Sequence, residues 1–187
     1  MSQTETAIRK PKLSVSDLCF AGLFTAVIAV MAQISIPMPL GVPMTMQTFA
    51  ITLAAVVLGS RLSAISTLVY LLLGAVGVPV LAGFTGGIGK FLSPTGGFLI
   101  SFPIMAWIIG FGMDHRKAFR GAFVTALIAG TVINYIFGTA VFCLVTQSPL
   151  MTGLAGCVLP FIPTAIIKAI AASLLGFVIR KRLPRRS

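Results

Sequence analysis

The chain has 187 residues, 57% hydrophobic and 9% charged, with a mean hydropathy of +1.06 and a formal net charge of +11. That length fits one compact unit, and a soluble protein this apolar would lack the polar residues to cover its surface. The positive charge argues against a nucleic-acid partner by its distribution, because the cations stand in short clusters beside long apolar runs, the pattern of a chain in a lipid bilayer.

Residues 1–15 read as a polar, disordered cytoplasmic tail. The apolar run behind them is too long for the core of a cleavable signal peptide. A first crossing is expected over 16–36, ended by Pro37, Pro39, Gly41 and Pro43, since proline has no N–H to donate and clashes with the preceding turn. A second crossing is expected over 44–59, with Arg61 at its end, and a third over 62–78, stopping before Pro79. Residues 80–96 form a loop rich in Gly and Pro. The fourth crossing covers 97–113, and the polar turn Asp114, His115, Arg116, Lys117 leads to a fifth over 118–146, long enough to include a tilted or surface end. Residues 147–160 read as a charge-free loop. The sixth crossing covers 161–179, with Pro163 suited to the first helical position, and a basic tail closes the chain. The expected fold class is therefore an all-α integral membrane protein of six transmembrane helices, with one membrane domain over 16–182 and a basic cytoplasmic tail over 183–187.

Charge fixes the expected orientation. Arg9, Lys10 and Lys12, then Arg61, then Arg116, Lys117 and Arg120, then Arg180, Lys181, Arg182, Arg185 and Arg186 all fall on one side of this six-crossing plan. By the positive-inside rule that side is the cytoplasm, and both termini lie there. Lys90 and Lys168 are the cations left over.

Lys168 is five residues past Pro163, about 7.5 Å below the outer end of the sixth helix at 1.5 Å per residue. A lysine within a membrane costs roughly 2.5–3.5 kcal/mol on insertion scales, so it needs a partner or a purpose. Glu5, Asp17 and Asp114 all fall at the cytoplasmic side, which leaves snorkelling to the surface, backbone carbonyls or an anionic or strongly polar ligand. The ligand is favoured, because the free N–H groups and positive end of the same helix add to the field there. Thr164, one turn earlier, is placed to share the site. In the long loop, Gly83, Phe84, Thr85, Gly86, Gly87 and Gly89 offer backbone donors and conformational freedom, and Ser93 to Gly97, including Thr95, repeat that chemistry, with Lys90 between the two runs. Seventeen residues is long for a bare connection, so a lid over the outer face is expected. Gln47, Thr48, Tyr70, Asn134 and Tyr135 are polar groups in apolar crossings, each able to satisfy a neighbour or to meet a ligand.

Small residues mark close helix contacts. Ala21, Thr25 and Ala29 form one line on the first helix, and Gly22 and Ala26 another. They suit packing inside the bundle or docking onto another membrane subunit. Other classes find little support. There is no Walker motif, no acid in mid-membrane for a proton or sodium relay, no nucleophile–base pair for an enzyme, and no cofactor motif. His115 has no second ligand nearby, and Cys19, Cys143 and Cys157 have no metal or disulfide spacing and read as small packing residues.

The sequence resembles the BioY family, the biotin-binding S components of energy-coupling factor (ECF) transporters. The resemblance runs over about 16–179. It rests on 42–49 (Val-Pro-Met-Thr-Met-Gln-Thr-Phe), 71–79 (Leu-Leu-Leu-Gly-Ala-Val-Gly-Val-Pro), the Gly83–Gly87 loop, Pro94-Thr-Gly-Gly97 and 160–168, in the family's order and with similar spacing. It implies a six-helix S component in the cell membrane that captures biotin from outside with high affinity. It also implies an ECF transmembrane T subunit and two ABC-type ATPase subunits as partners. The small-residue line on the first helix resembles the family's docking face for the T subunit. Lys168 falls on the lysine of the family's helix-six ligand motif, where an aspartate commonly stands three residues earlier. Ala165 occupies that position here, which removes an acceptor for the ureido N–H groups and leaves Thr164 or a loop carbonyl to compensate, or a weaker affinity. An S component for another vitamin, or a non-transporting membrane scaffold, are the competing readings.

Overall fold

The computed structural model describes residues 14–38, 41–117 and 121–183. The expected disordered tail lies outside the described residues except for Ser14 and Val15, as do Pro39, Arg120 and the last four residues of the basic tail.

Seven α-helices, a two-strand hairpin and one 3-10 turn make up the described chain. Helix α1 is Val15–Gln33. Ser14 caps it through a reciprocal pair, its hydroxyl accepting from the Asp17 N–H at 3.1 Å and the Asp17 carboxylate accepting from the Ser14 N–H at 3.1 Å. It ends three residues earlier than its apolar run suggests, because Ser35–Ile36 (β1) leaves the helix to pair antiparallel with Met44–Thr45 (β2), in the register Ser35 with Thr45 and Ile36 with Met44. Then come α2 (Gln47–Leu58) and α3 (Ser60–Ala75), joined by Gly59 at φ +82°. A side chain at Gly59 would be strained in that backbone and would also strike the Asp114 carboxylate. Residues 76–95 form the long loop, broken only by the 3-10 turn Ile88–Lys90. Helices α4 (Gly96–Asp114) and α5 (Ala122–Thr146) follow. The expected charge-free loop contains a short helix, α6 (Leu150–Cys157), which packs on α5 and brings Cys157 against Phe142 and Val42. Its eight residues are too few for a periodic pattern to stand out in the sequence. Helix α7 is Phe161–Arg182.

Helix α2 is the axis of the bundle. Every residue from Ala50 to Leu58 is buried, and α1, α3, α4 and α7 all pack on it. A helix apolar on all sides can be buried this way only at the centre. Its neighbours carry hydroxyls inward, and each is satisfied: Thr25 donates to the carbonyls of Ala21 and Ser66 at 2.9 Å, and Ser63 to those of Gly59 at 2.7 Å and Ala106 at 3.1 Å. These bonds tie α1 to α3 and α3 to α4.

Among the described residues four helices, α1, α4, α5 and α7, have the length and apolarity of a membrane crossing. The second and third expected crossings prove shorter, 12 and 16 residues, or about 18 and 24 Å of helix. The outer faces of α5 and α7 carry exposed Val124, Ile128, Val132 and Ile136, and Ile166, Ile170, Leu174 and Val178. Such continuous aliphatic surface has a suitable solvent only in lipid.

The two small-residue lines on α1 face different ways. Ala21 and Thr25 are buried against the bundle and Ala29 is half-buried, whereas Gly22 and Ala26 are exposed, with open space where a Gly22 side chain would stand.

Candidate functional site

Between the hairpin, the start of α2, the long loop, α4, α5 and the start of α7 lies a cavity of about 370 Å³. Its walls are apolar: Val42, Pro43, Leu81, Phe98, Phe102 and Phe161. Its polar groups are few and convergent: Gln47, Thr48, Thr85, Lys90, Thr95, Asn134, Tyr135 and Lys168. A mostly apolar pocket of a few hundred Å³ with a small polar set is the ordinary form of a small-molecule site.

Lys168 enters this cavity from the first turns of α7. Its Nζ donates to the backbone carbonyl of Thr45 at 2.9 Å, across 123 residues of sequence. The hairpin exists to good effect here: pairing with β1 holds β2 so that the Thr45 carbonyl meets the ammonium. Nothing in the sequence singles out Thr45, since its backbone rather than its side chain makes this contact. One carbonyl accounts for one of three ammonium donors, and the positive charge has no carboxylate partner among the described residues.

Gln47, at the first position of α2, is already engaged. Its Nε2 donates to the Tyr70 hydroxyl at 2.6 Å, and its Oε1 accepts from the Thr45 hydroxyl at 2.8 Å. Tyr70 is fully buried behind Gln47 and does not line the cavity; it fixes the amide that does. Asn134 likewise ties α5 to α4, donating to the Phe98 carbonyl at 3.2 Å and the Ser101 hydroxyl at 2.7 Å. Thr48, Lys90 and Tyr135 make no side-chain hydrogen bond among the described residues, so they are the free polar groups of the wall.

The long loop covers the cavity with Leu81, Ala82, Thr85, Lys90, Ser93 and Pro94. Its tip faces away. Phe84 is 72% exposed, and Gly86 and Gly87 are not in the lining. These three hold the loop's shape instead: Gly87, at φ +96°, donates its N–H to the Gly74 carbonyl at 2.7 Å, and Gly86 lies against the backbone of Gly77 and Val78. Thr95 bonds the Ser93 hydroxyl at 2.8 Å. Gln33, at the last position of α1, is the loop's anchor. Its Nε2 lies 3.1 and 3.2 Å from the carbonyls of Val80 and Leu81, and its Oε1 accepts from the Phe84 N–H at 2.8 Å. An uncharged amide near the end of an apolar run was the available signal for it.

Thr164 does not line the cavity. It returns its hydroxyl to the Phe161 carbonyl at 3.0 Å and lies on a separate apolar groove between the hairpin and α7, which shares Thr45 and Lys168 with the main cavity. Among the described residues no group of three or more His, Cys, Asp or Glu could hold a metal. Cys157 has no nucleophile's setting: burial, with Cys143 adding to it, pushes its thiol up to about 11.

Residues 4–185 match the BioY family. The chain belongs to the BioY family. Among its BioY relatives, the "Biotin transporter BioY" of Rhizobium etli is 37% identical over 176 residues, covering 88% of this chain and 92% of the relative. The "Probable biotin transporter BioY" of Pyrococcus horikoshii is 37% identical over 167 residues, covering 88% and 96%. The fold matches the crystal structure of the S-component for biotin from an ECF-type ABC transporter, with a TM-score of 0.81, 30% identity and coverage of 90% of this chain and 93% of that one. The BioY family and these relatives are transporter components, not enzymes.

Proposed function

We propose that this chain is the high-affinity biotin-binding S component of an ECF-type vitamin uptake transporter, with no catalytic step of its own. The observation that carries the reading is the cavity in which Lys168, held by the Thr45 carbonyl, faces apolar walls and a few free polar groups. Biotin has matching parts: a carboxylate, a polar ureido ring and an apolar bicycle. Lys168, Gln47, Thr48, Thr85, Lys90, Thr95, Asn134 and Tyr135 are proposed as direct contacts. Tyr70, Gln33, Phe84, Gly86 and Gly87 are proposed to act through them, by fixing Gln47 and the loop. Thr164 is left to shape the approach to Lys168. With Ala165 supplying no acceptor, a carbonyl such as that of Thr45 takes the compensating role.

The membrane arrangement belongs to the same proposal. Six segments cross the cell membrane, the short α2 and α3 included, with both termini cytoplasmic; the charge pattern supports this, since Lys90 and Lys168 lie at the cavity end and Arg61, Arg116, Lys117 and the last turn of α7 at the other. The partners are a T subunit and two ABC-type ATPases. The exposed Gly22–Ala26 line is the proposed docking surface for the T subunit, while the Ala21–Thr25–Ala29 line packs within the bundle. Biotin is captured under the outer loop, and the ATPases drive its release inward.

Calorimetric titration of biotin into the detergent-purified protein tests the reading. Nanomolar binding is expected; absent or millimolar binding, with another vitamin binding tightly in a competition panel, would replace biotin with that vitamin.

A further inference from the structure

The cavity around Lys168 leaves unexplained a second one, of about 580 Å³, at the opposite end of the bundle. It is bounded by the end of α2, the end of α4 and the last two turns of α7. Val57, Leu58, Met113, Phe177 and Leu183 make an apolar wall, and Arg116, Lys117, Arg180 and Lys181 stand against a single acid, Asp114. Arg180 is already committed: it donates to the Val56 carbonyl at 2.8 Å and lies 3.4 Å from the Asp114 carboxylate. Asp114 is committed as well, accepting from the Ser60 N–H at 2.9 Å and the Ser60 hydroxyl at 2.8 Å. Arg116, Lys117 and Lys181 have no ion pair among the described residues. Arg116 lies over the Phe177 ring, 5.4 Å from its centroid, and otherwise reaches only the weak acceptor Met113 sulfur at 3.6 Å.

We propose that this pocket binds a phosphate group, supplied by the headgroup of an anionic phospholipid. Three unpaired cations around one hollow recognise a multivalent oxyanion, and the guanidinium of Arg116 can meet two of its oxygens at once. The apolar wall beside the cations fits the glycerol and first methylenes of a lipid better than a fully hydrated ion. The place fits too, because α4 and α7, both of membrane-crossing length, end here, at the level where a headgroup lies. Those helix ends carry the negative pole of the dipole, so side chains rather than the helix field hold the anion. The proposal does not depend on biotin binding.

The test uses the full chain purified in detergent. Native mass spectrometry compares retention of phosphatidylglycerol with phosphatidylcholine of the same acyl chains, and thermal stability is followed in inorganic phosphate at constant ionic strength. The variants are K117Q/K181Q, which alters two exposed side chains, R116Q, and the equal-charge control R61Q/R182Q. Preferential retention of phosphatidylglycerol, reduced about thirtyfold by K117Q/K181Q and little by the control, is expected for two lost cation contacts. Stabilisation by inorganic phosphate, lost in the same variants without a lipid preference, keeps the phosphate site and overturns the lipid as its source. Equal retention of both lipids with no phosphate effect, or equal losses in the control, overturns the site.

Discussion

Helix α7 places Lys168 near one end and Arg180 near the other, and these two are treated differently. Lys168 meets a lone backbone carbonyl and faces a cavity. Arg180 meets a carbonyl and also an acid, and that acid caps α3. Arg180 and Asp114 form a closed network in which each partner is supplied by the protein, while Arg116, Lys117 and Lys181 beside them stay outside it. The Lys168 end is open, with charge left over for something the protein does not contain. The Thr45 carbonyl takes one of the three ammonium donors and no carboxylate among the described residues pairs with the charge, since Ala165, one turn away, offers none.

Breaking the open end should have the largest effect. Lys168→Ala is expected to weaken biotin binding by roughly 30- to 160-fold, the scale of one charged hydrogen bond of about 2–3 kcal/mol, with little change in thermal stability. Unchanged affinity in the titration would remove Lys168 from the site. Breaking the closed end should do the reverse. Asp114→Ala is expected to cost about 1–2 kcal/mol by loss of the cap on α3, read as a lower melting temperature in detergent, with biotin affinity within a few-fold of the parent. Asp114→Asn keeps an acceptor for the Ser60 N–H and should lose less than half as much. The Arg180 pair adds little, since both side chains are about a third exposed, at 31% and 35%. An Asp114→Asn variant as damaged as Asp114→Ala would show that the ion pair, not the cap, matters.

Gly59→Ala tests the same end through the backbone. At φ +82° an added Cβ is strained and meets the Asp114 carboxylate, so a loss of about 1–2 kcal/mol is expected; a variant that melts with the parent would mean the turn relaxes freely. The smallest effect is sought in the lid. Gln33→Ala removes the amide that joins α1 to the carbonyls of Val80 and Leu81 and to the Phe84 N–H. At about 1 kcal/mol of net hydrogen bonding, biotin release should quicken about fivefold in a stopped-flow chase. No change in release rate would detach this loop from gating.

Much of this contrast was legible in the residues. Lys168 stands out in the sequence because a charge in an apolar run is expensive wherever the chain puts it, and the loop over 80–96 because its length exceeds a bare connection. Gln47 and Asn134 were legible as polar groups in apolar helices, but not their partners, Tyr70 for the one and Phe98 and Ser101 for the other. The short helix α6 and the two-residue strands leave no mark in the sequence pattern, since neither is long enough to show a period.

The residues alone set the apolar segments, their Pro and Gly boundaries and the clustering of the cations between those segments. These are local quantities: transfer free energy and backbone preference act residue by residue within a window of about 20 residues. Tertiary structure alone decided that α2 would be the buried axis, that Gly22 and Ala26 face out while Ala21 and Thr25 face in, and that Lys168 would meet the Thr45 carbonyl. Each of these depends on which helix lies beside which. A lysine and a carbonyl 123 residues apart leave no mark on each other's neighbourhood in the chain, because any residue at position 45 other than proline or one that disturbed the hairpin would present the same backbone oxygen.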